Sequence, residues 1–273
     1  MSLQWPQYKV QVNGIKVFYT RTGGKKPPLV MNHGATDNGM CWKPVAEKLQ
    51  SRYDILLPDA RGHGRSGSGK GEYGVNLRAH DLIALIKGLQ LDRPIIMGHS
   101  MGAQTALFTA SMYPENIRAV ILEDPVLTMP DEDIFSQVGN EDLGQTMAEN
   151  ARKSKRTPRF MLRSVGKKKL GWPKNELRHW TNSKKQLSYD FINAMTAIKE
   201  EPDPWDALAG VIAPVLLITG QRSKGAIVSE WAAEEAKAMH GQMTVANFDT
   251  GHNVRRENFE GYMAAVNDFL GKV

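Results

Sequence analysis

The sequence predicts an α/β protein whose mostly parallel sheet is covered by helices on both faces, opens with an N-terminal antiparallel hairpin and is interrupted by a helical insertion. Short apolar runs alternate with segments of helical periodicity over most of the 273 residues, and this alternation is typical of parallel sheets. Two segments of alternating apolar and polar residues flank Asn13-Gly14, the pair most typical of a two-residue hairpin turn. Between residues 127 and 205 the alternation stops, and polar, charged sequence with helical character takes its place.

The elements before residue 127 follow from apolar runs and from apolar residues at helical spacing. In one expected helix, Leu82, Leu85 and Leu89 share a face, and Asn76 stands before them as a candidate N-cap. The expected order is a hairpin at 8–12 and 15–19, a strand at 29–32, a helix at 42–49, a strand at 54–59, a helix at 76–89, a strand at 95–97, a helix from 103 and a strand at 119–122.

The alternation resumes after residue 205 and continues to the end of the chain. The expected elements there are a strand at 215–219, a helix at 228–239, a strand at 244–248 and a helix at 257–270. We therefore assign residues 1–126 and 206–273 to an α/β core, and residues 127–205 to a helical cap, or lid, inserted into it.

Length and composition set limits on the class of protein. A chain of 273 residues with 41% hydrophobic residues buries enough surface to fold without a disulfide or a structural metal. Cys41 is the single cysteine, which excludes an internal disulfide and a cysteine-rich zinc site. The chain shows neither an apolar leader nor a run of about 20 apolar residues. We expect a cytoplasmic protein with no membrane partner, and the sequence does not indicate an oligomeric state.

The net charge of +6 is concentrated in one segment. Residues 151–185 contain thirteen Lys or Arg and one acid, Glu176. One interpretation is a solvated helical face offset by the acidic run Asp131-Glu132-Asp133. The other is a positive mouth that steers an anionic substrate. No basic and aromatic module typical of nucleic-acid binding accompanies the charge, so no nucleic-acid partner is expected.

The pentapeptide Gly98-His99-Ser100-Met101-Gly102 lies between an expected strand and an expected helix. Gly-x-Ser-x-Gly in this setting is typical of a nucleophile elbow, a strained turn that exposes the serine hydroxyl. Glycines flank the serine because the strand and helix backbones approach closely there. Ser100 is therefore the candidate nucleophile.

A nucleophilic serine needs a base that accepts its proton. His252 follows the last expected strand, so it lies at the same carboxyl edge of the sheet as Ser100. The other six of the seven histidines fit this role less well. His33, His63 and His99 lie in glycine turns where hydrogen bonds to the backbone are expected, and the others lie on expected helices away from strand ends.

Four motifs in this order resemble the α/β-hydrolase family: His33-Gly34, the loop 59–66 with its sequence DARGHGRS, the pentapeptide 98–102, and Gly251-His252. The resemblance covers nearly all of the chain apart from the cap. It implies the α/β-hydrolase fold and a serine hydrolase without cofactor or metal. It also implies that the backbone N–H groups of Ala35 and Met101 bind the oxyanion of the substrate.

The acid that orients His252 departs from the commonest pattern of this family. Many members carry it after the strand that corresponds to 215–219, but residues 220–225 contain no carboxylate. Other members place it after the preceding strand, which here ends in Glu123-Asp124. We predict Asp124 as the acid and keep Glu123 as the alternative. A third interpretation makes both of them carboxylates of the turn before Pro125.

The leading hypothesis is hydrolysis of a small carboxylic ester or lactone through an acyl-enzyme on Ser100. Carbon–carbon bond hydrolysis and cofactor-free perhydrolysis use similar triads, and some members of the superfamily are ligand receptors. The cap is expected to supply much of the substrate pocket, which is largely apolar in such proteins. Its candidate lining residues are Met129, Phe135, Met147, Phe160, Met161, Trp172, Trp180, Tyr189, Phe191 and Met195.

Overall fold

A computed structural model describes residues 5–69, 71–129, 143–196 and 201–273. Asp131, Glu132, Asp133 and Phe135 lie outside these ranges. The described chain contains a sheet in the order β1-β2-β4-β3-β5-β6-β7-β8. Its strands are β1 (Gln7–Val12), β2 (Ile15–Arg21), β3 (Pro28–Asn32), β4 (Asp54–Pro58), β5 (Ile95–His99), β6 (Ala119–Glu123), β7 (Val215–Thr219) and β8 (Met243–Asn247).

The sheet is antiparallel only at its N-terminal end. β1 pairs with β2, and β2 with β4, in antiparallel register, whereas the remaining neighbours are parallel. Asn13 and Gly14 have φ values of 41° and 79°, the left-handed values that a tight hairpin turn requires. The predicted fold, a mostly parallel sheet with an N-terminal hairpin, is confirmed.

Helices cover both faces of the sheet. They are α1 (Lys43–Leu49), α2 (Val75–Gly88), α3 (Met101–Met112), α4 (Leu143–Arg156), α5 (Arg159–Val165), α6 (Lys174–Gln186), α7 (Tyr189–Ala194), α8 (Pro204–Ala209), α9 (Glu230–Met239), α10 (Val254–Glu257) and α11 (Phe259–Leu270). A π-helical turn, Gly166–Leu170, follows α5. None of the described helices is both long enough and apolar enough to cross a membrane.

Two apolar clusters lie on opposite faces of the sheet because strand side chains alternate between the faces. In β5, Ile96 packs in a cluster with side chains of α2, α3, α8 and α9. Its neighbours Ile95 and Met97 pack in the other cluster, with side chains of α1 and α11. Because β3, β5, β6 and β7 are parallel, their carboxyl ends lie at one edge of the sheet. Ligand-binding sites of open parallel sheets lie at this edge.

Helices α4 to α7, which we call the cap helices, lie between β6 and β7 in the chain. Apolar side chains of this segment pack against the core residues Tyr73 and Met101. They are Leu187, Phe191 and Ile192. The boundary of a separate cap at 127 and 205 stays a prediction.

Two helix ends differ from expectation. α2 begins at Val75, so Asn76 is not its N-cap. The N–H of Val75 is instead satisfied by the distant carboxylate of Glu201, at 2.8 Å, a contact that depends on tertiary structure. The last expected helix, 257–270, begins instead at Phe259, after the separate short helix α10, and the side chain of Asn258 caps it by accepting a hydrogen bond from the N–H of Gly261 at 3.1 Å.

Candidate active site

The turn at Ser100 joins β5 to α3. Ser100 has φ 52° and ψ −119°, a strained backbone for a residue with a side chain. The flanking glycines allow this turn to pack closely. A Cβ on Gly98 would lie 2.1 Å from the carbonyl oxygen of Gly102, and one on Gly102 would lie 2.2 Å from that of Asn32. A larger residue at Gly98 would push the start of α3 away from β5, and one at Gly102 would push it away from the end of β3.

Asp124 directly follows β6 and is completely buried. Its carboxylate accepts hydrogen bonds from the N–H groups of Ile227 at 2.8 Å and Val228 at 3.1 Å. The third contact is with His252, whose Nδ1 lies 2.6 Å from Oδ2 of Asp124. Because a carboxylate accepts, Nδ1 of His252 carries the proton and donates it, and Nε2 is left as the atom able to act as a base.

Glu123, the alternative acid, has a different partner. Its carboxylate lies 2.8 Å from Nη1 of Arg255 and accepts the Arg255 backbone N–H at 3.0 Å. Both side chains are fully buried. Burial raises the pKa of Glu123, and the charge of Arg255 opposes that rise. Asp124 lies just beyond the strand in a left-handed backbone conformation, with φ 43°, and of the two carboxylates it is the one beside His252.

Ser100 and the loop that carries His252 are held next to each other. The N–H of Ser100 donates to the carbonyl of Glu123 at 2.9 Å. His99, one residue earlier, donates from Nε2 to the carbonyl of His252 at 2.9 Å, and the two imidazole rings lie 4.6 Å apart. Within the described chain no hydrogen bond joins the Ser100 hydroxyl to His252, a contact that commonly tightens only when substrate binds.

The two backbone N–H groups predicted to bind the oxyanion, those of Ala35 and Met101, donate no hydrogen bond in the described chain. Met101 is the first residue of α3, so its N–H is one of the donors that a helix leaves unsatisfied. Ala35 follows β3 in the loop that packs against the elbow, and a Cβ on Gly34 would lie 2.8 Å from Nδ1 of His99. Paired donors of this kind stabilise an oxyanion.

Comparison with known proteins places the chain in a family. A family profile described as the alpha/beta hydrolase fold matches residues 27–255. The chain belongs to the α/β-hydrolase family. This α/β-hydrolase is 27% identical to N-formylmaleamate deformylase of Pseudomonas putida, over 96% of its own length and 95% of that protein.

Two further comparisons agree with this assignment. A 2-(acetamidomethylene)succinate hydrolase of Mesorhizobium japonicum is 34% identical to this chain in the region where the two align. That region covers 38% of this chain and 37% of that protein. The crystal structure of an N-formylmaleamic acid deformylase from Pseudomonas putida superposes with a TM-score of 0.82 at 24% identity, covering 96% of this chain and all of that one. The comparisons support a hydrolase of this fold.

Two histidines of the α/β-hydrolase, His33 and His63, contact the backbone of the loop that carries Ala35 and are not placed to act as bases. Nε2 of His63 lies 2.7 Å from the carbonyl oxygen of Ala35. His33 donates from Nδ1 to the carbonyl of Gly34 at 2.9 Å and accepts the N–H of Ala60 at Nε2. Burial lowers the pKa of His33, and burial together with the nearby His33 lowers the pKa of His63 to about 3. These shifts favour neutral rings at neutral pH, and a neutral His63 donates from one nitrogen only, to the Ala35 carbonyl or to the Arg61 carbonyl, which lies 2.8 Å from its Nδ1.

An apolar wall borders the site. Met147, Phe191 and Met195 from the cap helices pack in one cluster with Met101 and Ala35. Of the other predicted lining residues, Trp172 and Trp180 pack edge to face against each other, 5.7 Å apart. Phe160, Met161 and Tyr189 are exposed and lie outside this cluster.

The sequence analysis missed a buried cluster of charged side chains next to the loop that carries His252. Asp37 lies 2.7 Å from Arg256 and 3.4 Å from both Arg255 and Lys184. Arg256 also lies 3.3 Å from Glu176 on α6. Burial alone would raise the pKa of Asp37, but its three cationic neighbours hold it well below its usual range. The signal in the sequence was the pair Arg255-Arg256, three residues after His252, although nothing local identified its partners.

The described part of the chain brings no three His, Cys, Asp or Glu side chains together as a metal site. Cys41 is buried, and its thiol donates to the side chain of Asn38 at 3.6 Å. Burial raises the pKa of the Cys41 thiol to about 12. A thiol in this state is a packing group and not a nucleophile.

Proposed function

We propose that the protein is a serine hydrolase that cleaves a small carboxylic acid derivative through an acyl-enzyme on Ser100. The observation that carries the proposal is the 2.6 Å contact between His252 and the buried Asp124, next to a serine on a strained turn. Asp124 orients His252, and His252 accepts the serine proton at Nε2. The N–H groups of Ala35 and Met101 bind the oxyanion.

The reaction has two steps in this proposal. Ser100 Oγ attacks the carbonyl carbon while His252 takes the hydroxyl proton, and the imidazolium then gives that proton to the leaving group. Water next attacks the acyl-enzyme, with His252 again as the base, and releases the acid. Asp124 takes part only as an acceptor, since its carboxylate accepts two backbone N–H groups besides the imidazole.

The substrate class follows from the site and from the relatives. The sequence predicts an ester or a lactone, and the apolar wall of Met147, Phe191 and Met195 suits a small acyl or leaving group. The relative that matches 96% of the chain is a deformylase, which favours an N-acyl amide as the second candidate. The same triad serves either bond, because only the leaving atom that His252 protonates differs.

The test is labelling and turnover on matched serine variants. Wild type should be labelled by a fluorophosphonate and should hydrolyse p-nitrophenyl esters, short acyl chains best. Ser100→Ala should lose the label and about 10⁶ in kcat, whereas exposed Ser51→Ala should retain both. Label or activity that persists in folded Ser100→Ala would contradict the proposal. Complete inactivity of folded wild type on esters, lactones and N-formyl amides would favour a receptor.

A further inference from the structure

The loop that carries Ala35 is a tight turn over residues 34–37. The N–H of Asp37 donates to the carbonyl of Gly34 at 3.0 Å, the bond that closes a β-turn. The Gly34 carbonyl and the Ala35 N–H belong to the same planar peptide unit. Whatever fixes the position of Asp37 and Thr36 therefore also fixes the direction in which the Ala35 N–H points.

Side chains from the cap helices bind this turn on its outer side. Ser183 Oγ lies 3.0 Å from the Thr36 carbonyl oxygen and 2.8 Å from that of Trp180, and these two acceptors share its one proton. Lys184 Nζ lies 2.8 Å from the same carbonyl, 2.5 Å from Thr36 Oγ1 and 3.4 Å from Oδ1 of Asp37. All three acceptors of the Lys184 ammonium are thus in the turn.

Lys184 differs from the other cations of its segment. It is only 7% exposed, and a buried ammonium is costly unless it is paired and hydrogen-bonded. Burial lowers the pKa of Lys184, and the charge of Asp37 opposes this change. The neighbouring Lys185 instead donates to carbonyls of Ser154, Lys155 and Thr157, within the cap helices.

We propose that Lys184, assisted by Ser183, is a positioning residue for the oxyanion site, so that α6 completes the active site by holding the turn that aims the Ala35 N–H. This inference rests on the proposed function. His63 holds the Ala35 carbonyl from the core side, at 2.7 Å, and α6 holds Thr36 from the cap side. His33 also holds the Gly34 carbonyl from the core side, at 2.9 Å, so the support that depends on docking of the cap helices is the one at Thr36.

The inference predicts a loss confined to the transition state. The Ala35 N–H binds the oxyanion more strongly than the carbonyl of bound substrate. A turn that has lost its outer support lets this N–H rotate, and a small misplacement of a catalytic group costs about 10- to 100-fold in rate. kcat should fall while KM changes little.

The experiment compares Lys184→Met with Lys185→Met, a cation of the same helix that does not touch the turn. Lys184→Met leaves Asp37 paired with Arg255 and Arg256, so the anion remains compensated. With p-nitrophenyl acetate, we expect kcat of Lys184→Met to fall by about tenfold or more with KM within about twofold. The inhibition constant of phenylboronic acid, whose adduct places an oxygen in the oxyanion site, should rise by a similar factor. Lys185→Met removes contacts within the cap and none to the turn, so both of its values should stay closer to wild type than those of Lys184→Met.

Ser183→Ala supplies a second variant if Lys184→Met does not fold. It removes one of the two cap donors to the Thr36 carbonyl, and we expect a smaller fall in kcat of about three- to fivefold, again without a change in KM. Wild-type kcat in a folded Lys184→Met variant, or in Ser183→Ala when Lys184→Met does not fold, would overturn the inference. An equal loss of kcat in Lys185→Met would also overturn it. Fluorophosphonate labelling of Ser100 in wild type keeps these outcomes separate, because its absence overturns the proposed function itself.

Discussion

Two adjacent carboxylates at the end of β6 show how much a single residue's surroundings decide. Glu123 and Asp124 are both fully buried. Glu123 is paired with a guanidinium, that of Arg255 at 2.8 Å. Asp124 meets two backbone N–H groups and the ring of His252. In the proposed mechanism the first carboxylate therefore stabilises the fold, and the second orients the base.

Exchanging each carboxylate for its amide separates these two roles. Asp124→Asn should lower kcat by about 10⁴-fold with little effect on folding, because the amide no longer holds the tautomer of His252 that exposes Nε2 as a base. Glu123→Gln should lower the free energy of unfolding by about 3 kcal/mol, because it leaves the buried charge of Arg255 with only Asp37 as an anionic neighbour. Its kcat should stay within about tenfold of wild type.

Ester hydrolysis and urea denaturation on the same preparations measure both effects. If Glu123→Gln abolished turnover while Asp124→Asn retained it, the acid would be Glu123. If neither amide changed turnover, both carboxylates would be structural, and the proposed triad would be wrong.

At the scale of elements, β3, β5 and α3 meet so closely that two glycines are required. Gly102 packs on the carbonyl of Asn32, and Gly98 packs on that of Gly102. This close approach brings the first N–H of α3 next to the loop that carries Ala35. In the proposed mechanism the oxyanion site is therefore a consequence of how the elements pack, and it needs no particular side chain at Ala35 or Met101.

Gly102→Ala should be destabilising by about 3 kcal/mol, because its Cβ would meet backbone that cannot move aside cheaply. It should also reduce kcat, since relief of the clash shifts the serine turn. Gly88→Ala is the matched control, in a helix where an added Cβ meets nothing within 4 Å. It should be neutral or stabilising by about 0.5–1 kcal/mol. Urea unfolding of both variants checks this, and equal stability of the two would contradict the packing argument.

The basic segment 151–185 also acquires meaning at the scale of elements. Lys155 and Lys185 donate to backbone carbonyls of the cap helices, and Lys184 is buried against Asp37. These three cations therefore contribute to the packing of the cap. For the exposed ones, steering of an anionic substrate stays a prediction. It requires a salt-dependent kcat/KM for anionic esters and none for neutral ones.

At the scale of the whole molecule, buried histidines make the free energy of unfolding depend on pH. Burial lowers the pKa of His33, His63 and His99, that of His63 to about 3. The unfolded chain binds protons at these residues as the pH falls below about 6.5, whereas the folded protein does not. Their contribution to stability is therefore present above that pH and is lost on acidification.

We expect the free energy of unfolding to fall between pH 7 and pH 5, with His63 alone contributing about 2 kcal/mol at pH 5. Urea midpoints of wild type and of His63→Gln across this range isolate that share, because the glutamine does not titrate. His80→Gln, at an exposed histidine, is the control and should leave the slope unchanged. Identical slopes for wild type and His63→Gln would mean that His63 is not held neutral in the folded protein.

Much of the architecture could be predicted from the sequence, because the signals for it are local. Asn13-Gly14 has the turn chemistry of a hairpin, apolar runs such as 215–219 mark buried strands, and the glycines around Ser100 mark a close strand-to-helix turn. Helix ends were less predictable. The start of α2 depends on Glu201, which is far away in sequence, and no local pattern contains that information.

The sequence by itself determined the fold, the order of its motifs and the candidate chemical groups Ser100, His252 and the pair Glu123-Asp124. Only the tertiary structure decided which of the two carboxylates lies beside His252, because the choice depends on which loop packs against each of them. It also decided that Lys184, one of thirteen Lys or Arg residues in its segment, is buried against the turn over residues 34–37. Charge is visible in a sequence, but its partners are contacts between distant elements, and these exist only after the chain has packed.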